Sequence, residues 1–143
     1  MAAPKPPGAR PGLAVSLPLT VGDPAPWFTA RTAGSEAFVF DSAAGRWVLL
    51  CFLPSDAEAG RPALLAASNA RALFDDGKAS LFFVVRDPQT AASARDLRGV
   101  RWVLDDDGAV SRLYGALARD GTERPMWLLL DPTLVLIDEP SIG

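Results

Sequence analysis

The sequence has no histidine, one tyrosine, two methionines and a single cysteine, Cys51, in 143 residues. Without imidazole there is no Ser-His-Asp or Cys-His nucleophile pair and no histidine metal ligand. One thiol cannot form an intrachain disulfide, a CxxC redox pair or a thiolate zinc site. Long apolar runs are missing as well. The longest, Trp47 to Pro54 and Met126 to Leu130, are strand-sized, well short of the roughly 20 residues of a membrane helix or the unbroken centre of a secretory leader. Positive charge is not in excess: 14 Lys and Arg stand against 17 Asp and Glu, a net charge of -3. Nucleic-acid binding is driven by cationic neutralisation of phosphates, so this balance argues against it. The expectations are a soluble, cytoplasmic protein with no nucleic-acid or membrane partner, no metal and no cofactor.

What is present fits one domain. The hydrophobic residues make up 49% and the charged residues 22%, an ordinary globular balance. Five of the prolines, Pro4, Pro6, Pro7, Pro11 and Pro18, fall at the start. Residues 1–17 are accordingly expected to be a disordered Pro-rich tail, and residues 18–143 the folded domain. Within it, Pro18 to Trp27 reads as an irregular lead-in and Ala37 to Asp41 as a short strand. Trp47 to Leu53 is continuously apolar, as expected of a central strand covered on both faces. Pro62 fits the first turn of a helix running to about Phe74, because a first-turn N–H has no helical partner to lose. A strand over Leu81 to Val85, a helix over Thr90 to Leu97, a strand over Arg101 to Leu104 and a helix over Ala109 to Leu117 follow. Met126 to Leu130 and Leu134 to Ile137 close the pattern as a hairpin. The order β-β-α-β-α-β-α-β-β calls for an α/β domain with a mixed central sheet and flanking helices.

Five segments, in order, resemble the peroxiredoxin (AhpC/TSA-type) branch of the thioredoxin-like superfamily. Val21-Gly22-Asp23-Pro24-Ala25-Pro26-Trp27-Phe28 is similar to that family's opening Gly-x-x-Ala-Pro-x-Phe signature. Arg46 to Pro54 is similar to the strand leading into its active-site loop, and Leu81 to Asp87 to the next strand. Asp105 to Gly115 resembles its acidic turn and helix ending in Tyr-Gly, and Pro125 to Asp131 its penultimate strand. The resemblance implies a thioredoxin-like fold with a peroxiredoxin-type N-terminal extension. It also brings to mind larger proteins in which such a module precedes a 2-oxoglutarate- and iron-dependent oxygenase domain, whose iron ligands would lie outside these 143 residues.

The catalytic motif does not carry over. The family's loop reads Pro-x-x-x-Thr-x-x-Cys. Laid on Pro54, the threonine position is Glu58 and the peroxidatic cysteine position is Arg61. A guanidinium is permanently protonated and is no nucleophile. The family's supporting arginine falls near Pro125, with Arg124 one residue away, and Pro125 itself resembles the proline that thioredoxins place before the same strand. Pro54, Glu58, Arg61, Arg124 and Pro125 thus outline a vestigial active-site loop, where Arg61, Arg71, Arg119 and Arg124 either converge on an anion pocket or are ordinary solvated surface arginines. Cys51 lies ten residues before the expected sulfur, inside the apolar strand, and reads as a core filler with a raised pKa. Asp105, Asp106 and Asp107 before Gly108 read as helix-capping acids, since the chain beyond lacks the alternating ligands of a calcium loop.

Four tryptophans are many for this length, and aromatics are enriched at interface cores. Trp27, Phe28 and Trp102 are the expected interface residues. The last strand is followed by six residues only, so the usual C-terminal helix over the sheet is not expected. The cover would come from a second copy or from a downstream or partner domain. Two readings stand: a non-catalytic module acting in dimerisation or domain interaction, and a thiol-dependent antioxidant peroxidase using Cys51.

Overall fold

The computed structural model describes residues 19–140; the predicted tail of residues 1–17 lies outside them. Ten regular elements follow in chain order: β1 Thr29–Thr32, β2 Ser35–Val39, β3 Trp47–Phe52, α1 Ala57–Asn69, β4 Ala79–Val85, α2 Pro88–Ser93, β5 Val100–Leu104, α3 Ala109–Leu113, β6 Met126–Leu130 and β7 Leu136–Asp138. Short 3-10 turns at Phe40–Ala43 and Arg71–Leu73 complete the trace. The strands form one seven-stranded mixed sheet in the order β2-β1-β5-β4-β3-β6-β7. β3, β4 and β5 are parallel, and every other pairing is antiparallel. This is the thioredoxin-like architecture expected from the sequence. No helix among the described residues is long and apolar enough to cross a membrane.

Side chains alternate along β3 and feed two cores. Val48, Leu50 and Phe52 join Phe82, Val84, Val103, Leu128 and Leu130 on one face. The lead-in residues Leu19, Ala25 and Phe28, the turn residue Phe40, and Val110 and Tyr114 cover that face. Cys51 and Leu53 join Leu81, Phe83, Val85 and Trp127 on the other, under Ala63 and Ala67 of α1. The continuous apolar run of β3 is explained by this burial on both sides. Tyr114 binds the two family-like segments together: its ring meets Phe28 edge-on at 6.0 Å, and its hydroxyl donates to the Pro26 carbonyl.

Several boundaries differ from the sequence reading, each for a local reason. β1 was not anticipated; its sequence, Thr-Ala-Arg-Thr, has no apolar alternation, and it exists because it pairs with both β2 and β5. α1 starts at Ala57, five residues before Pro62, because Asp56 caps it by accepting from the Glu58 N–H. Pro62 therefore sits inside the helix and leaves the Glu58 carbonyl without its usual donor. In α2 the first-turn proline is Pro88: Asp87 caps the helix by accepting from Gln89 and Thr90 N–H groups, and the helix ends at Ser93 rather than Leu97. α3 stops at Leu113, short of Leu117. Leu134 belongs to a turn, with φ 63°, so β7 begins at Leu136. The expected hairpin of β6 and β7 is present.

At the β6-β7 end of the second face, apolar surface stays open. Trp47 is 43% and Ile137 40% exposed, and Leu49 and its cross-strand partner Leu129 are half-buried.

Candidate active-site region

The carboxyl ends of the parallel strands, the N-terminus of α1 and the loop before β6 converge on one acidic side chain. Glu123 accepts from the Ser55 backbone N–H at 2.9 Å and, through the same oxygen, from the Arg86 guanidinium. Ser55 follows β3, Arg86 follows β4, and Glu123 sits in a short hairpin in which Leu117 bridges to Glu123 and the Ala118 N–H donates to the Thr122 carbonyl at 2.9 Å. The Arg86 and Glu123 side chains are both mostly buried. Three loops are thereby tied at the place where a parallel sheet normally presents its site. Neither residue was picked out by sequence reasoning. The only signal was an arginine directly after a run of five apolar residues, Leu81 to Val85.

The sequence-predicted residues are distributed differently. Pro54 leads into α1, and Gly60 sits against it: a Cβ on Gly60 would lie 3.6 Å from Pro54 Cδ. Glu58 and Arg61 pair with each other at 2.7 Å on the exposed face of α1, an arrangement that contributes little to stability. Arg124 is exposed, and its N–H donates to the Ala116 carbonyl at 2.8 Å; Pro125 beside it is also exposed. Arg61, Arg119 and Arg124 are all exposed. Arg71 lies in the 3-10 turn after α1, ten residues beyond Arg61, and donates to the Phe74 and Arg98 carbonyls. At the carboxyl ends of the parallel strands the half-buried guanidinium is that of Arg86, and its partner is the internal Glu123.

Cys51 is 1% exposed and sits opposite Phe83 of β4 and Trp127 of β6. Burial alone pushes its thiol far above the ordinary range, which disfavours the thiolate form. The neighbouring Trp127 indole N–H is buried without a partner among the described residues, at a cost of about 1–3 kcal/mol. Of the aromatics assigned to an interface, Phe28 is a core residue stacked on Phe40 at 4.6 Å; the lead-in folds back over the sheet, which removes it from any surface. Trp27 and Trp102 are half-buried. Asp105 caps α3 as expected, accepting from the Val110 and Ser111 N–H groups and the Ser111 hydroxyl. No group of three or more Cys, Asp and Glu that could hold a metal is found among the described residues.

Comparison with known proteins matches this geometry. The AhpC/TSA family profile matches residues 21–141. Among solved structures, the fold is similar to Mycobacterium tuberculosis AhpC, at 23% identity over 87% of this chain and 84% of that one, with a TM-score of 0.67. It is also similar to the yeast mitochondrial 1-Cys peroxiredoxin, at 17% identity over 86% and 67% of the two chains, with a TM-score of 0.68. A thiol peroxidase from Chromobacterium violaceum aligns at 22% identity over 85% and 75%, with a TM-score of 0.63. At these identities the likeness is one of fold. No curated protein sequence matches the chain. The family signature spans the lead-in, all seven strands and the loops they carry, and the chain belongs to the AhpC/TSA family of the thioredoxin-like superfamily.

Proposed function

We propose that this chain is a non-catalytic peroxiredoxin-like domain that works through contacts with a second copy or with a partner domain in the cytoplasm. The observation that carries the reading is Arg61: it stands on α1 where the family motif places its nucleophile, and it is exposed and paired with Glu58. Cys51, the only sulfur nucleophile in the chain, is sealed inside the second core. Contacts are assigned to the open end of the second sheet face, around Trp47, Leu49, Leu129 and Ile137, with a second copy as the first occupant to test. The net charge of -3 opposes such pairing only weakly. Trp27 and Trp102 add half-buried ring surface elsewhere on the domain.

Peroxide reduction with a thiol donor should be no faster for this chain than for a Cys51→Ala variant. A rate well above that of a free thiol, lost in Cys51→Ala, would establish a thiol peroxidase instead. Sedimentation at micromolar concentration should show a dimer that Trp47→Glu dissociates without unfolding. A single species of one chain mass would leave only a partner domain as the occupant.

A further inference from the structure

We propose that the groove between α1 and the segment leading into β5 is a binding site for a small amphiphilic anion, a flat apolar body carrying a carboxylate or similar headgroup. The proposal stands whether or not the chain reduces peroxide.

The groove arises from the early end of α2. That helix stops at Ser93, and the chain then reaches β5 through an irregular stretch instead of packing a longer helix over the sheet. The return to β5 passes hard against the backbone after α1. Gly99, at φ 85°, lies so close that a Cβ would stand 2.0 Å from the Phe74 carbonyl oxygen. What remains uncovered is a cavity of about 360 Å³ walled by Leu64, Phe83, Leu97, Val100 and Trp102, with Arg71 at its lip. That volume lies within the range of small-molecule sites, about 300–1,000 Å³. One wall is a flat aromatic surface: Trp102 stacks on Phe83 with centroids 4.4 Å apart, and Trp102 itself is only half-buried. Leu97, across the opening, is 55% exposed. A second flat apolar ring would cover both.

The charge at the lip selects the headgroup. Arg71 is half-buried, and its guanidinium is held in place by donating to the Phe74 carbonyl at 2.7 Å and the Arg98 carbonyl at 2.6 Å. Those two bonds fix its position but do not neutralise it. Among the described residues neither Arg71 nor Arg98 is ion-paired, although five other arginines are. The nearby Asp75 carboxylate is engaged by the Gly77 and Lys78 N–H groups. A positioned guanidinium with free donors and no counter-ion, at the edge of an apolar slot, matches an aryl carboxylate in both shape and charge.

The test uses 1-naphthoate as the probe and neutral 1-naphthol as its control, on the full chain by heteronuclear NMR titration. Saturable shifts should centre on the Trp102 indole N–H, Ser68 and Val100, with naphthol binding about tenfold weaker, which corresponds to 1.4 kcal/mol. Leu97→Glu, at an exposed position, should weaken naphthoate at least about tenfold by setting a like charge at the mouth. Arg71→Gln should remove the preference for naphthoate over naphthol. Shifts centred away from the groove, equal binding of the two probes, or full affinity in a folded Leu97→Glu variant would overturn the proposal. So would a dimer that buries Trp102 and Leu97 in solution.

Discussion

Arg86 and Glu123, 37 residues apart in sequence, form a mostly buried ion pair that closes the end of the sheet where the family keeps its reactive centre. The carboxylate also binds the Ser55 N–H at the entrance to α1. An internal acid thus holds both the guanidinium and the backbone donor that an incoming anion would need.

Removing one partner should therefore cost more than removing both. Glu123→Ala leaves the Arg86 charge without a partner and should destabilise the domain by about 1–2 kcal/mol, discounted from the fully buried case because both side chains keep some solvent contact. Arg86→Met combined with Glu123→Ala should recover part of that loss. Urea denaturation of the two single variants and the double variant measures the coupling. Additive losses would mean that the pair contributes nothing.

Cys51 should behave as a buried hydrophobe. Because burial raises its pKa, the thiolate stays absent from neutral pH up through mildly alkaline pH, and native-state labelling by an aqueous thiol reagent should remain slow throughout. Labelling should become fast once denaturant is added. Cys51→Ser should cost about 1–3 kcal/mol by burying a hydroxyl in an apolar strand. Rapid labelling of the folded chain would contradict this account.

Two kinds of glycine should be separable by substitution. Gly22 and Gly45 have positive φ but open space where a Cβ would go. Alanine there should cost about 1 kcal/mol, the backbone penalty alone. At Gly99 the same penalty is joined by a collision with the Phe74 carbonyl, and Gly99→Ala should cost about 2–4 kcal/mol. Thermal melts of the three variants rank them directly.

Acid should weaken the fold through Asp76. Desolvation pushes its carboxyl up, but hydrogen bonds from Ser80, the Gly99 backbone and Arg101, with the Arg101 charge, bring it below its ordinary value. A carboxylate with a lowered folded-state pKa stabilises above its unfolded value, about 3.9, and that stability is lost as pH falls through the folded value. Melting temperature should drop below about pH 4, with a shallower fall in Asp76→Asn. Identical acid limbs in the two proteins would assign the effect to other groups.

Where sequence and structure agree, the signal was burial. β3 and β4 are legible because both their faces are covered, which forces an uninterrupted apolar run in each. Met126 to Leu130 marks β6 in the same way, with Leu128 and Leu130 feeding one core and Trp127 the other. β1 was not legible: a four-residue polar segment is held between β2 and β5, and no local pattern encodes a partner as distant as β5. Helix starts were misplaced where two signals competed. Pro62 looked like a first-turn proline, yet the Asp56 cap upstream sets the start of α1. At the candidate site, aligning motifs puts Arg61 at the family's nucleophile position but cannot foresee Arg86 and Glu123, whose relation exists only once three loops have folded together.

The strand order also bears on how the chain is made. β1 and β2 leave the ribosome early as a hairpin, yet the strand that β1 must join, β5, is synthesised some 70 residues later. Until then the hairpin is a bare two-stranded ribbon, too small to be stable alone. Phe28 and Phe40, at its ends, likewise wait for Phe82 and Tyr114 to arrive. The N-terminal third of this domain, although first to be made, thus cannot be secured until β5 and Tyr114 follow.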